Sequence, residues 1–151
     1  MKSSIELKPA DSLTSAGYLA DRVIAAYQVL DREKIGELES LYTEDVCLEV
    51  PSQAMQGITE VKNYFSGLMA EVSDCRFKFH SNINDGSDMF LTWTMFFNSQ
   101  SLTGSETVRL EGSSYFKTRN GKIYYQRDYF DSAVLPRKRP RFIRKLFSKQ
   151  G

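Results

Sequence analysis

From residue 75 the chain reads CRFKFHSNIN (75–84), then turns at NDGSD (84–88), then continues MFLTWTMFFN (89–98). Runs rich in Phe, Thr, Ile and Trp, bounded by turn residues, are the pattern of β-strands. Asp85-Gly86 inside the turn favours a tight hairpin. SQSLTGS (99–105) reads as a loop, and another strand is expected around 108–117. TRNGK (118–122) carries Asn120-Gly121, a strong hairpin signal, and the closing strand is expected over 122–131. The second half is therefore a four-strand antiparallel meander.

The first half has a different period. Leu19, Val23, Tyr27 and Leu30 fall on one stripe and predict a helix over 16–30. After the polar DREK (31–34), Ile35, Leu38, Leu41 and Tyr42 predict a second helix ending near Glu44-Asp45. Val46, Leu48 and Val50 alternate with Cys47 and Glu49, a short strand ended by Pro51. PSQAMQG (51–57) reads as a loop. Val61, Phe65, Leu68, Met69 and Val72 predict a third helix over 59–72, with Thr59 as its N-cap. Helices followed by a meander give an α+β fold: three N-terminal helices packed on one face of a curved, mostly antiparallel sheet. Residues 1–15 read as a flexible leader, 16–135 as the domain and 136–151 as a basic amphipathic tail.

The charge divides along the same boundary. The chain of 151 residues has 20 Lys plus Arg against 19 Asp plus Glu. Seven of those basic groups, and no acid, lie in 136–151, which leaves the body at −6. A body of that sign is not a nucleic-acid binder. The tail, with Phe142, Ile143, Leu146 and Phe147 in a stripe, can dock on the acidic body, touch an anionic membrane or remain solvated. Cys47 and Cys75 make no disulfide framework, no secretory h-region opens the chain and no run reaches membrane-span length, so a cytoplasmic location is expected. One histidine and no clustered Cys or acidic motif argue for no metal. No phosphate-binding glycine loop is present, and no cofactor is expected.

The strand MFLTWTMFFN is apolar on both faces: Phe90, Thr92, Thr94 and Phe96 on one, Leu91, Trp93, Met95 and Phe97 on the other. Helices cover one face of a sheet, so a homodimer partner or the chain's own tail is expected on the other.

LDREKIGELESLYTEDVCLEVP (30–51) resembles the helix, Tyr-x-x-Asp, strand, Pro block of the ketosteroid isomerase and SnoaL-like superfamily. The helix after Gly57 and NGKIYYQRDYFDSAVL (120–135) resemble its next helix and closing strand, and RDYFD is similar to the closing strand of limonene epoxide hydrolase. The resemblance spans residues 18–135. It implies the nuclear transport factor 2-like fold, a cone of helices on a curved sheet enclosing a cavity. The catalytic sets do not carry over. The general-base Asp of ketosteroid isomerase falls on Val50, its oxyanion-hole acid near Gly112 or Ser113, and its helix-1 Tyr near Ala26, beside Tyr27. The Arg and first Asp of limonene epoxide hydrolase fall near Thr94 and Phe96, its Tyr and Asn near Leu48 and Val50. Its second Asp is retained as Asp128. SnoaL-like polyketide cyclases use an Asp as acid/base, a part open to Asp128.

Strict alternation puts Tyr124, Gln126, Asp128 and Phe130 on one face of the closing strand, and Ile123, Tyr125, Arg127 and Tyr129 on the other. The resemblance implies that the Asp128 face points into the cavity. A carboxylate among aromatic rings is desolvated and its pKa rises, as a general acid near neutral pH requires. Asp128 is thus the candidate acid/base, or else a buried hydrogen-bond acceptor. His80 is its candidate partner, or else a simple strand histidine. Tyr27, Phe90, Thr94, Phe96, Tyr124, Gln126 and Phe130 are the candidate ligand contacts, and Trp93 is expected on the opposite face. The function expected is binding of a small apolar or polycyclic ligand in an internal cavity, with cofactor-free isomerase or cyclase chemistry at Asp128. The alternative is a non-catalytic ligand-binding or protein-interaction module of the same fold.

Overall fold

A computed structural model describes residues 10–99 and 106–131. Its elements are α1 (Ala10–Gln28), a 3-10 helix (Ile35–Ser40), β1 (Tyr42–Val50), β2 (Gln53–Gln56), α2 (Ile58–Glu71), β3 (Ser73–Asn84), β4 (Asp88–Asn98), β5 (Thr107–Arg119) and β6 (Lys122–Phe130). The strands form one curved sheet in the order β2-β1-β6-β5-β4-β3. β1 runs parallel to β6, and every other neighbouring pair is antiparallel. The α+β fold expected from the sequence is the one observed. No helix among the described residues is long and apolar enough to cross a membrane. The expected tail, 136–151, lies outside the described residues, as does the leader up to residue 9; α1 opens at Ala10, inside the expected leader.

Local chemistry explains the two hairpins. Asn120 (φ 52°) and Gly121 (φ 73°) both take positive φ, as a two-residue turn between twisted strands requires. Gly86 does the same at the β3–β4 turn (φ 99°), where Asp85 Oδ1 accepts from the backbone N–H of Ser87 and Asp88.

The middle of the first half differs from expectation. The second helix is a six-residue 3-10 helix, not an α-helix. Its buried residues recur every third position, Ile35, Leu38 and Leu41, which matches three residues per turn. Strand pairing starts at once, since the Ile123 N–H donates to the Leu41 carbonyl, so no room is left for a longer helix. Tyr42 therefore begins β1 instead of ending a helix. The expected loop 51–57 contains the edge strand β2, whose Met55 is buried opposite Leu48. Gly57 (φ 88°), not Thr59, precedes the first turn of α2.

The helices cover the inner face of the sheet. Tyr27 of α1 and Phe65 of α2 meet edge to face with ring centroids 5.7 Å apart, and Tyr27 meets Phe77 of β3 at 5.5 Å. Leu48, Leu91 and Ile123 complete the fully buried centre.

Candidate functional site

Three strands converge on one carboxyl group. β5 and β6 pair with Ser114 opposite Asp128, and β4 pairs Leu91 with Ser114 and Trp93 with Gly112. On β6, Gln126 and Asp128 share the inner face. Ser114 Oγ donates to Asp128 Oδ1 at 2.7 Å, and Gln126 Nε2 donates to the same oxygen at 2.8 Å. The indole N–H of Trp93 donates to Ser114 Oγ at 2.9 Å, so the hydroxyl proton is directed to Asp128. Oδ2 receives no hydrogen bond from the described residues.

Gln126 is held from behind by two tyrosines. Tyr42 OH donates to Gln126 Oε1 at 2.6 Å, and Gln126 Nε2 reaches Tyr27 OH at 3.2 Å. The two phenols are 2.7 Å apart. With the Tyr42 proton committed to Gln126, Tyr27 is the donor between them. The ring of bonds closes with every amide proton used.

Burial dominates the electrostatics. Asp128 lies deep among protein atoms yet keeps part of its surface accessible. Desolvation pushes its pKa up to about 6, while the hydrogen bonds from Gln126 and Ser114 pull the other way. Tyr27 and Tyr64 are both raised, first by burial and then by the Asp128 charge, which places Tyr64 within electrostatic reach of the carboxylate. Among the described residues no basic side chain acts on Asp128. Arg127, its neighbour in sequence, points to the outer face and lies 3.6 Å from Glu49.

Of the candidate residues, the structure brings Asp128, Gln126, Tyr27 and Phe130 together; Phe130 lies 6.5 Å, ring to ring, from Trp93. The other expected contacts do not join them. Phe90, Thr94 and Phe96 alternate with Leu91, Trp93 and Met95, and it is the Trp93 set that faces inward. Trp93 is thus an inner residue, correcting the expected orientation of β4. The reason is Gly112, which sits opposite Trp93; a Cβ there would overlap the indole ring. Tyr124 also leaves the site. A bulge on β6 pairs Tyr125 with Lys117 and Ile123 with Thr118, so Tyr124 is skipped and packs beneath the Arg119 guanidinium. His80 sits at a bulge on β3 and bonds Thr94 Oγ1 at 2.7 Å on the outer face. It is therefore no partner for Asp128.

Three residues of the cluster, Tyr42, Ser114 and Tyr64, are not among the site candidates read from the sequence, and a fourth, Trp93, is expected there on the other face. Their signal lies in strand register, which a periodicity does not contain. Among the described residues no group of three or more His, Cys, Asp or Glu side chains is placed to hold a metal. An open cleft of about 510 Å³ lies elsewhere, between the ends of α1 and α2 and the start of β3, near Leu30, Met69 and Cys75. Burial pushes the Cys75 thiol there up to about 12.

The same architecture recurs in solved structures. A hypothetical protein with a ketosteroid isomerase-like fold from Catenulispora acidiphila, in complex with trimethylamine, superposes with a TM-score of 0.68 at 11% identity, covering 80% of this chain and 90% of that one. A putative SnoaL-like polyketide cyclase from Jannaschia sp. gives 0.67 at 12% identity, covering 89% and 94%. An LEH-like epoxide hydrolase of M. tuberculosis gives 0.64 at 20% identity, covering 81% and 86%. These likenesses establish the fold. No curated protein matches the chain in sequence. The SnoaL-like domain model, however, matches residues 23–126, from the middle of α1 to the glutamine that holds Asp128. The chain belongs to the SnoaL-like domain family.

Proposed function

We propose that the protein holds a small apolar or polycyclic molecule in an interior cavity and transfers a proton to or from it through Asp128, without a cofactor. One observation carries the reading: the carboxylate is asymmetric. Oδ1 is fixed by two neutral donors, Ser114 and Gln126, and Oδ2 is left open. Such a group has a set direction and a pKa near 6, so it can give and take protons near neutral pH. Tyr64, Phe79 and Phe130 pack against the core yet keep accessible surface, which supports an open interior. Isomerisation, aldol-type cyclisation and dehydration all need one such acid/base. The two free cysteines favour a reducing, cytoplasmic setting.

The test is a thermal-shift screen of the wild type and Asp128→Asn against neutral steroids, polyketide-like aromatics, terpenes and terpene epoxides. A ligand at 100 times its Kd stabilises by about 2.7 kcal/mol. A compound that stabilises both proteins and is turned over only by the wild type is the expected result. Stabilisation without turnover would leave a binding module, and no stabilisation by any compound would remove the reading.

We also infer that a second copy of the chain covers the outer face of the sheet. Ile83 (69% exposed) and Tyr129 (45% exposed) lie on that face with the half-buried Phe90 and Phe96. Light scattering should give twice the chain mass, and a monomer at micromolar concentration would refute the pairing.

A further inference from the structure

We propose that the interior site takes a small organic cation, an apolar amine or quaternary ammonium, whose positive nitrogen faces Asp128. The proposal rests on the reading that this interior binds a small ligand, and it names the ligand's chemical class.

Three observations lead to it. The first is a charge with no counterion among the described residues. Asp128 is deep in the protein, its two hydrogen-bond donors are neutral, and among the described residues no basic side chain acts on it. Lys62 pairs with Glu39, Arg119 with Asp45 and Arg127 with Glu49, all away from the carboxylate. The second is the wall. Phe77, Phe79 and Phe130 are partly buried side chains packed on the core, and Trp93 stands between them. Phe77 and Trp93 meet at 5.7 Å, Phe77 and Phe79 at 6.1 Å, Trp93 and Phe130 at 6.5 Å. Aromatic faces carry negative potential and attract alkylammonium groups. The third is the open oxygen, Oδ2, which has no donor among the described residues. Rings, an unbalanced carboxylate and a free acceptor together form a site of negative potential inside an apolar shell.

The two ligand classes differ in sign. A neutral apolar ligand displaces water from an ionised carboxylate and so binds best when Asp128 is protonated. A fixed cation replaces that water with opposite charge and binds best when Asp128 is ionised. Its presence holds Asp128 in the ionised form, which narrows the group's role to that of a proton acceptor. Among the described residues the titratable groups near the carboxylate are Tyr27 of α1, Tyr64 of α2 and Tyr42 of β1; all three are phenols raised above their ordinary pKa and stay neutral between pH 5 and 8. His80 is on the opposite face, bonded to Thr94. The pH dependence therefore reports Asp128.

The experiment is calorimetric titration of the full chain with choline and with its neutral carbon isostere, 3,3-dimethyl-1-butanol, at pH 5 and pH 7.5. Choline is expected to bind the wild type at least tenfold more tightly at pH 7.5 than at pH 5, and at least tenfold more tightly than the isostere at pH 7.5. Asp128→Asn should abolish the pH dependence and lower choline affinity at least tenfold. Phe77→Leu, which keeps an apolar wall but removes a ring, should weaken choline about threefold and leave the isostere unchanged. If the isostere binds as well as choline at pH 7.5, the cationic class is wrong and the interior ligand site stands. If neither binds at millimolar concentration, the cationic class is wrong, and the neutral-ligand screen decides the site separately. Unchanged choline affinity in a folded Asp128→Asn protein also overturns the proposal.

Discussion

Ser114 and Asp128 face each other across β5 and β6, and the serine hydroxyl that donates to Asp128 Oδ1 at 2.7 Å accepts the Trp93 indole N–H at 2.9 Å. Ser114 is itself only 4% exposed. One hydroxyl thus joins the aromatic wall to the carboxylate and fixes the direction of both. Replacing it by Ala leaves a buried indole N–H without a partner and removes one donor that favours the ionised acid. Ser114→Ala is expected to lower stability by about 1–3 kcal/mol. It should also raise the Asp128 titration midpoint above about 6. Chemical denaturation reads the first effect and carboxyl-carbon NMR the second.

The pH dependence of stability follows from the same group. Asp128 titrates at about 6 in the fold against an ordinary value of 3.8. Between those values the folded chain binds more protons than the unfolded one, so stability falls as pH rises. The contribution is fully present below 3.8 and lost as pH passes 6. Its upper bound is about 3 kcal/mol, lowered by the part of Asp128 that stays accessible. Asp128→Asn removes it, because an amide keeps its oxygen where Oδ1 accepts both bonds. The variant should therefore match the wild type near pH 4 and exceed it at pH 8. A wild type that gains stability from pH 4 to pH 7 relative to Asp128→Asn would contradict the assignment.

Gly112 gives a purely steric prediction. It lies between Trp93 on β4 and Phe130 on β6, and a Cβ built there overlaps the indole ring and comes within 2.8 Å of the Tyr129 carbonyl oxygen. One of those neighbours is backbone and cannot move aside cheaply. Gly112→Ala is expected to cost about 1–3 kcal/mol. It should also expose the single tryptophan, which acrylamide quenching of its fluorescence would report directly.

The elements that were legible in the sequence are those with local causes. Asn120-Gly121 and Asp85-Gly86 set their hairpins through backbone freedom at the glycine, and the α1 stripe sets its helix through spacing alone. Asp128 was legible through the family resemblance and Gln126 by alternation from it. The orientation of β4 was not, because both of its faces are apolar and period two cannot say which is inner. The cross-strand contact of Gly112 with Trp93 decides it, and that needs register. Tyr124 failed for a related reason: it sits at a bulge, where one extra residue breaks the alternation on which the reading depended. His80 bonds Thr94 and is the simple strand histidine that the sequence offered as the alternative to an Asp128 partner. Tyr42 was placed on a helix because its neighbours repeat every third residue, a period shared by a short 3-10 turn.

Tyr42 tests whether the polar ring reaches the carboxylate. Tyr42 is only 1% exposed, and its hydroxyl donates to Gln126 Oε1 at 2.6 Å and accepts from Tyr27. That bond fixes which end of the Gln126 amide faces Asp128: with the oxygen toward Tyr42, the nitrogen donates to Oδ1. Tyr42→Phe keeps the ring and deletes the bond, leaving the buried amide oxygen with only the long 3.5 Å contact from the Tyr27 hydroxyl. A stability loss of about 1–3 kcal/mol is expected. The more specific consequence is electrostatic. A Gln126 freed to turn would bring its oxygen toward the Asp128 oxygens and disfavour the ionised acid, moving the titration midpoint further up although Tyr42 makes no hydrogen bond to Asp128 itself. The measurement is the Asp128 carboxyl-carbon titration in Tyr42→Phe beside that in Tyr27→Phe. An upward shift in the first and a smaller one in the second is expected, since Tyr27 lies on the weaker 3.2 Å contact with the amide nitrogen. An unmoved midpoint in both would mean that Gln126 is oriented by packing alone and that the tyrosines serve the core rather than the site.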